Sequence, residues 1–351
     1  MRVKKWIIFV LLILVPTISF SAEKLIFTLD LIRHGDRTPI RVIPAIPYKW
    51  KIGLGQLTAE GMRQEYELGK QFRKHYIDET HLLPANYQQE SMYVFSTDVE
   101  RTLMSAESVL MGLYPPGTGP VTDKSQAGLP QAYQPIPIHT APKKYDHMII
   151  HRIDSAAEKM LMEKYVYSTA EWQRKEHKLK PYFQRWSALT GLQITKLKHL
   201  QSLSDSLFVH QTHHVPTPAG MNDDEIKTII EAGMWAFIAE KKPKPVANAY
   251  SSQVMANIAK FMKTSSEQKS RLRFVLLSAH DSTIASALSF IGGPLTTPPR
   301  YASDLNFSLY ESGTKNYIVK VSYNGTPIMI PACGHTSCTL QKFLEIAEDN
   351  K

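Results

Sequence analysis

Leu25-Ile26-Phe27-Thr28-Leu29-Asp30-Leu31-Ile32-Arg33-His34-Gly35-Asp36-Arg37-Thr38-Pro39 is the stretch on which the fold turns. From Leu25 to Ile32 the run is almost continuously apolar, the pattern of a strand buried on both faces of a parallel sheet. It ends abruptly in a charged loop. After a Pro-rich connection, Leu57-Thr58 opens a helical stretch in which Met62, Tyr66, Gly69, Phe72 and Tyr76 fall on one face, with Thr58 as its N-cap.

The same unit of apolar run, charged loop and amphipathic segment recurs twice. Met92-Tyr93-Val94-Phe95 precedes Ser96-Thr97-Asp98-Val99-Glu100-Arg101, where Thr97 and Glu100 have capping-box spacing. Val99, Leu103, Ala106 and Leu110 then share one helix side. Phe274-Val275-Leu276-Leu277 precedes Ser278-Ala279-His280-Asp281, and a helix bearing Ile284, Ala287, Leu288 and Ile291 closes at Gly292-Gly293-Pro294. Strands alternating with helices predict an α/β fold, a three-layer core around a mostly parallel sheet. Ligands of such sheets bind outside the carboxyl ends of the strands. All three units carry their polar residues there.

Residues 140–244 read differently. The patterns over 152–167, 184–192, 195–207 and 223–240 are helical, and Pro-rich segments at 134–137 and 241–245 bracket them. The predicted organisation is an α/β core over 22–139 and 245–351, with a helical cap over 140–244 inserted between its halves. Ahead of the core, Arg2, Lys4 and Lys5 form a basic head, Trp6 to Val15 is apolar, and Ser19-Phe20-Ser21 offers a small-x-small cleavage site. Residues 1–21 therefore read as a signal peptide cut before Ala22, which predicts export to a periplasm or the medium. The apolar run falls short of the ~20 residues that a membrane span needs.

The formal net charge of +9 falls to +6 without Arg2, Lys4 and Lys5. The remaining cations are scattered, with no basic run or interleaved aromatics, so nucleic acid is not the expected partner. Cys333 and Cys338 are the only cysteines. In an exported chain, near neighbours of this kind predict a short-loop disulfide.

The charged loops hold the chemistry. A phosphate monoester repels nucleophiles by its own charge, so its cleavage is mainly a matter of charge neutralisation and positioning. Arginines bind phosphate oxygens bidentately and keep their protons. A neutral imidazole can accept the phosphoryl group covalently, and an Asp carboxyl can protonate the departing oxygen. Arg33, Arg37, Arg101 and His280 supply a clamp, His34 a nucleophile flanked by cations that disfavour imidazolium, and Asp281 a proton donor. No metal or other cofactor is called for.

Arg33 to Pro39 fits the pattern Arg-His-Gly-x-Arg-x-Pro. With Gly55-Gln56-Leu57-Thr58, Gly61-Met62, Tyr66-Glu67-Leu68-Gly69, the run from Ser96 to Ala106, His280-Asp281, Tyr301-Ala302-Ser303 and the late cysteine pair, the chain resembles the histidine acid phosphatases, within them the prostatic and lysosomal branch. The resemblance runs from about residue 24 to 345 and is thinnest across the cap. It implies the phosphoglycerate-mutase-like core and an acid phosphatase working through a phospho-histidine on His34. Asp281 would be the general acid, with Arg33, Arg37, Arg101 and His280 as phosphate ligands. It also points towards a homodimer and small phosphate monoesters, phosphotyrosine among them. The animal enzymes carry more cysteines, so their disulfide framework does not transfer.

Two rival readings share these motifs: a phytase, and a binding protein on an inactive phosphatase fold, which would ordinarily have lost His34 or Asp281. His210, His213 and His214 have the look of a metal cluster but lack carboxylate or thiolate companions at ligand spacing. Lys143, Lys144, Tyr145, Tyr165 and Tyr167 are candidates for a substrate entrance, against the plainer expectation of surface and packing roles. Asn306 and Asn324 begin glycosylation sequons.

Overall fold

The computed structural model describes residues 23–150, 153–267, 270–313 and 315–348. The signal peptide expected over 1–21 and its cleavage point lie outside the described residues. Strand β1 (Lys24–Arg33) is central, parallel to β4 (Phe274–Ala279) on one side and antiparallel to β5 (Asp304–Glu311) on the other. Beyond β4 lie β2 (Met92–Thr97) and β3 (His139–Ala141), both parallel. Beyond β5, β6 (Tyr317–Tyr323), β7 (Thr326–Pro327) and β8 (Ser337–Thr339) continue antiparallel. The fold is α/β as expected, and the half of the sheet that carries the three repeated units is wholly parallel.

Alternation along β1 explains the layering. Phe27, Leu29 and Leu31 point to one face and are fully buried among α7 (Lys244–Ser266), α8 (Asp281–Phe290) and α9 (Leu340–Glu348), where Val254, Ile258, Ile284, Leu288 and Phe343 meet them. Ile32 points to the other face, among Phe72 of α1 (Ala59–Phe72) and Leu110 and Leu113 of α2 (Glu100–Leu113). Each such side chain removed from water contributes about 1.5–3 kcal/mol, which is why a run so apolar takes the centre of the sheet.

A separate buried cluster occupies the helical stretch that precedes α7. Trp172, Phe183 and Trp186 of α4 (Ala170–Thr190) pack with Leu200, Leu203 and Leu207 of α5 (Leu200–Thr212) and Ile226 and Ile229 of α6 (Asp223–Lys241), joined by Met162 of α3 (Ser155–Met162). Ile43 and Ile46, from the loop after β1, enter the same cluster and tie it to the site. Among the described residues no helix is long and apolar enough to cross a membrane.

Two local expectations need correction. Thr58 caps α1 as expected, accepting from the Gly61 N–H at 3.0 Å, and Gly69, Phe72 and Tyr76 of the expected face are buried, but Gly61, Glu65 and Leu68 join that face while Met62 is 37% exposed. Close approach of the β1 loop selects Gly61 for the inner face and turns Met62 outwards. Thr97 and Glu100 form no capping box, because the cap is Val99 and the Thr97 hydroxyl is spent on Thr102 and His280. The Asn306 sequon is buried, its amide donating to Thr28, Asp30 and Tyr76 inside the core, whereas Asn324 lies in an exposed turn.

Candidate active site

Three strand ends deliver the polar residues to one edge of the sheet. β1 delivers Arg33 and, immediately beyond it, His34; β2 leads into Arg101 in the first turn of α2; β4 leads into His280 and Asp281 at the start of α8. The β1 loop can take this path only because two glycines meet. A Cβ on Gly35 would lie 2.3 Å from the Gly61 carbonyl oxygen, and one on Gly61 would lie 2.2 Å from that of Asp36. The loop is pinned further by the Gly35 N–H donating to Ser105 Oγ at 3.1 Å and the Asp36 N–H donating to Gln64 at 2.9 Å.

His34 is 2% exposed. Its Nδ1 lies 2.8 Å from the Gly35 carbonyl, an acceptor, so Nδ1 carries the proton and the lone pair is on Nε2. Burial first, then Arg33 and Arg101, holds the ring well below the usual histidine range, so it stays neutral in acid. The His280 ring stands edge-on at 5.6 Å. Burial and Arg101 pull His280 down to about 4. Both His280 nitrogens already have protein partners: Nδ1 is 3.3 Å from Arg101 Nη2, and Nε2 is 3.1 Å from Thr97 Oγ1. Contact with a phosphate oxygen therefore requires one of these bonds to be exchanged.

Arg33 stacks on Tyr301, its guanidinium carbon 4.2 Å from the ring centroid, donates to the Pro299 carbonyl, and pairs with Asp281 at 3.0 Å. Burial alone would raise the Asp281 carboxyl, but Arg33, Arg37 and His280 outweigh it and hold the group below the ordinary range. Burial and Arg37 bring Arg101 down to about 10, the mark of cations crowded together. The Nε atoms of Arg33, Arg37 and Arg101 are all buried and have no hydrogen-bond partner among the described residues. Three unpaired buried donors are costly in isolation and suit an oxyanion.

Arg33, Arg37, Asp281 and Tyr301 line a cleft of about 1290 Å³. Its walls include Ile40, Phe208 and Phe237, with Tyr167 and Glu240 among the polar residues. Of the entrance candidates, Tyr167 lines the cleft, whereas Tyr145 is exposed with Lys144 over its ring. The histidines at 210–214 are dispersed: His210 Nδ1 lies 2.9 Å from the Pro216 carbonyl, His213 Nε2 lies 2.8 Å from Asp36 Oδ2, and His214 is exposed. Cys333 and Cys338 are set side by side at a Cα separation of 5.5 Å. Two residues at the site escaped the reading of the sequence. Tyr301 stood in a matching segment but had no role, and Asp205, which pairs with Arg37 through both carboxylate oxygens, had no local signal at all.

Fold and site together define an α/β protein in which a buried imidazole lies among arginines with unpaired Nε donors. Residues 24–324 match the histidine phosphatase superfamily, branch 2, and the chain belongs to that family. It is 30% identical to lysosomal acid phosphatase of Rattus norvegicus over 96% of this chain and 80% of that one. To prostatic acid phosphatase of Bos taurus it is 31% identical, over 93% and 85%. Solved structures share the fold at low identity. The phytase of Hafnia alvei in complex with myo-inositol hexakis sulphate superposes with a TM-score of 0.69 at 16% identity, covering 93% of this chain and 97% of that one. The Klebsiella sp. ASR1 phytase gives 0.69 at 16%, covering 94% and 96%.

Proposed function

We propose that the protein is an acid phosphatase that hydrolyses phosphate monoesters through a covalent phospho-histidine on His34. The observation that carries this reading is the tautomer: a buried imidazole with its Nδ1 proton committed to Gly35, set among arginines whose Nε donors are unpaired. Arg33, Arg37 and Arg101 receive the phosphate oxygens, with His280 joining after releasing one protein partner. His34 Nε2 forms a bond to phosphorus as the ester oxygen leaves, and that oxygen takes the proton of the Asp281 carboxyl. Binding of the dianion satisfies Arg33 and Arg37, weakens their hold on Asp281 and so lets the carboxyl protonate in acid. Water then attacks phosphorus, Asp281 accepts its proton, and the nitrogen–phosphorus bond breaks to restore neutral His34. No step draws on a metal.

The wider setting belongs to the same proposal. Residues 1–21 direct export, Cys333 and Cys338 are bridged in that oxidising compartment, and 140–244 caps the core and shapes the leaving-group side of the cleft. A panel of aryl, sugar, nucleoside and inositol phosphates, assayed at acid pH with and without a chelator and with vanadate, tests the reading. Monoester hydrolysis that survives chelation and is blocked by vanadate is expected. No turnover of any monoester, or chelator-sensitive activity restored by a divalent metal, would overturn it.

A further inference from the structure

Asp205 lies outside every motif of the core loops, on α5 in the helical segment, yet it reaches the phosphate cradle. Its Oδ2 and Oδ1 accept from Arg37 Nη1 at 3.1 Å and Nη2 at 2.8 Å. Both residues line the cleft, but the Arg37 side chain is only 4% exposed against 30% for Asp205, so the anion is the more open of the pair. Nη1 also donates to the Thr38 carbonyl at 3.2 Å, and Nε is buried without a partner. A guanidinium has five N–H donors in a fixed fork. With the Nη1/Nη2 end held by Asp205, the hydrogens left for phosphate are those of Nε and the remaining one of Nη2. The orientation in which Arg37 meets its substrate is thus set by the helical segment.

The same carboxylate bears on specificity. Arg41, Lys198 and Arg300 line the cleft and attract anions; of the carboxylates set against them, Asp205, Glu240 and Asp281, Asp205 is the one paired with Arg37 through both oxygens. A leaving group carrying a further phosphate has to lie in this cleft and meet a fixed anion across a partly desolvated space. We propose that Asp205 is a positioning residue for Arg37 and a specificity determinant, favouring monoesters with uncharged or cationic leaving groups over polyphosphorylated ones. The proposal rests on the phosphatase reading above.

The test uses the full protein and its Asp205→Asn and Asp205→Glu variants, with p-nitrophenyl phosphate as substrate. Inorganic phosphate and myo-inositol hexakisphosphate are titrated as competitors, which gives a selectivity ratio whether or not the second is turned over. In Asp205→Asn the preference for the hexakisphosphate over phosphate rises about tenfold, and kcat on the aryl ester falls several-fold. Asp205→Glu, which restores the charge and the acceptor pair, stays within about twofold of the wild-type selectivity ratio. An unchanged ratio in Asp205→Asn, or Asp205→Glu behaving like Asp205→Asn, overturns the proposal while leaving the phosphatase reading intact. A wild-type protein inactive on the aryl ester and on every other monoester overturns both.

Discussion

Arg33 Nη2 and Asp281 Oδ2 are 3.0 Å apart, and the other Asp281 oxygen accepts from the Ser282 N–H at 2.7 Å. The carboxylate is therefore ionised before substrate arrives, at the start of α8, where the helix dipole also favours negative charge. In the proposed mechanism Asp281 becomes an acid only when a phosphate competes for Arg33. The proposed proton donor and the proposed phosphate ligand are thus joined by one ion pair.

Asp281→Asn should accordingly injure poor leaving groups far more than good ones. An alkoxide cannot depart unprotonated, whereas nitrophenolate is stable as the anion, and general acid catalysis is worth a factor of about 10² to 10⁴. Rapid-quench phosphorylation rates for an alkyl and a nitrophenyl phosphate measure the gap, while vanadate binding checks that the cradle survives. Equal losses for the two esters would assign Asp281 to orientation of the site or to dephosphorylation.

Arg101→Gln should move the acid limb of kcat/KM to higher pH. Burial and neighbouring cations depress both His34 and His280, and Arg101 is among the largest like-charge contributors to each. Removing that charge lets both imidazoles protonate more readily, so the neutral nucleophile is lost at a higher pH, by about 0.5–1 unit. The level of kcat/KM falls as well, since Arg101 is a proposed phosphate ligand. Comparison of pH profiles on one substrate decides the point, and an acid limb that stays in place would contradict the electrostatic account.

Much of this site could be read before any coordinates because its parts sit beside strong local patterns. Arg33, His34, Arg101, His280 and Asp281 each follow a short apolar run and precede a helix, and a parallel sheet brings such junctions to one edge. What could not be read depends on distant partners. β5 carries Asn306 and Ser308 at buried positions, which spoils its apolar signature, yet both are satisfied by Thr28 across the strand pair. Thr97 has capping-box spacing but serves His280 instead. An Asp on an amphipathic helix reads as solvated, and the Arg37 that Asp205 holds lies 168 residues away.

The same hidden network predicts a pH effect on stability. Burial pushes the Asp30 carboxyl up to about 6, while burial and Asp30 push Asp304 well above the usual range. A raised folded-state pKa contributes stability that is complete below the ordinary value near 4 and is lost as pH rises through about 6. His280, depressed to about 4, titrates with the opposite sign as pH falls from about 6.5, so the difference between two proteins is the informative quantity. Asp304→Asn keeps a polar side chain of the same size beside Asp30 and removes the second buried carboxyl. Its Tm relative to wild type should therefore rise by about 2 °C or more between pH 4 and pH 7. A difference that is flat with pH would show that Asp304 is not held protonated by its burial beside Asp30.

The claim on which the rest depends is that His34 carries the phosphoryl group. Wild-type protein is mixed with labelled p-nitrophenyl phosphate, quenched after milliseconds in denaturing alkali, which preserves phospho-histidine, and digested for mass spectrometry. The account predicts phosphate on the peptide containing His34, transient in wild type. In a folded His34→Ala protein the label is absent and turnover falls by several orders of magnitude. Phosphate on another residue, or near-normal turnover by His34→Ala, would contradict it.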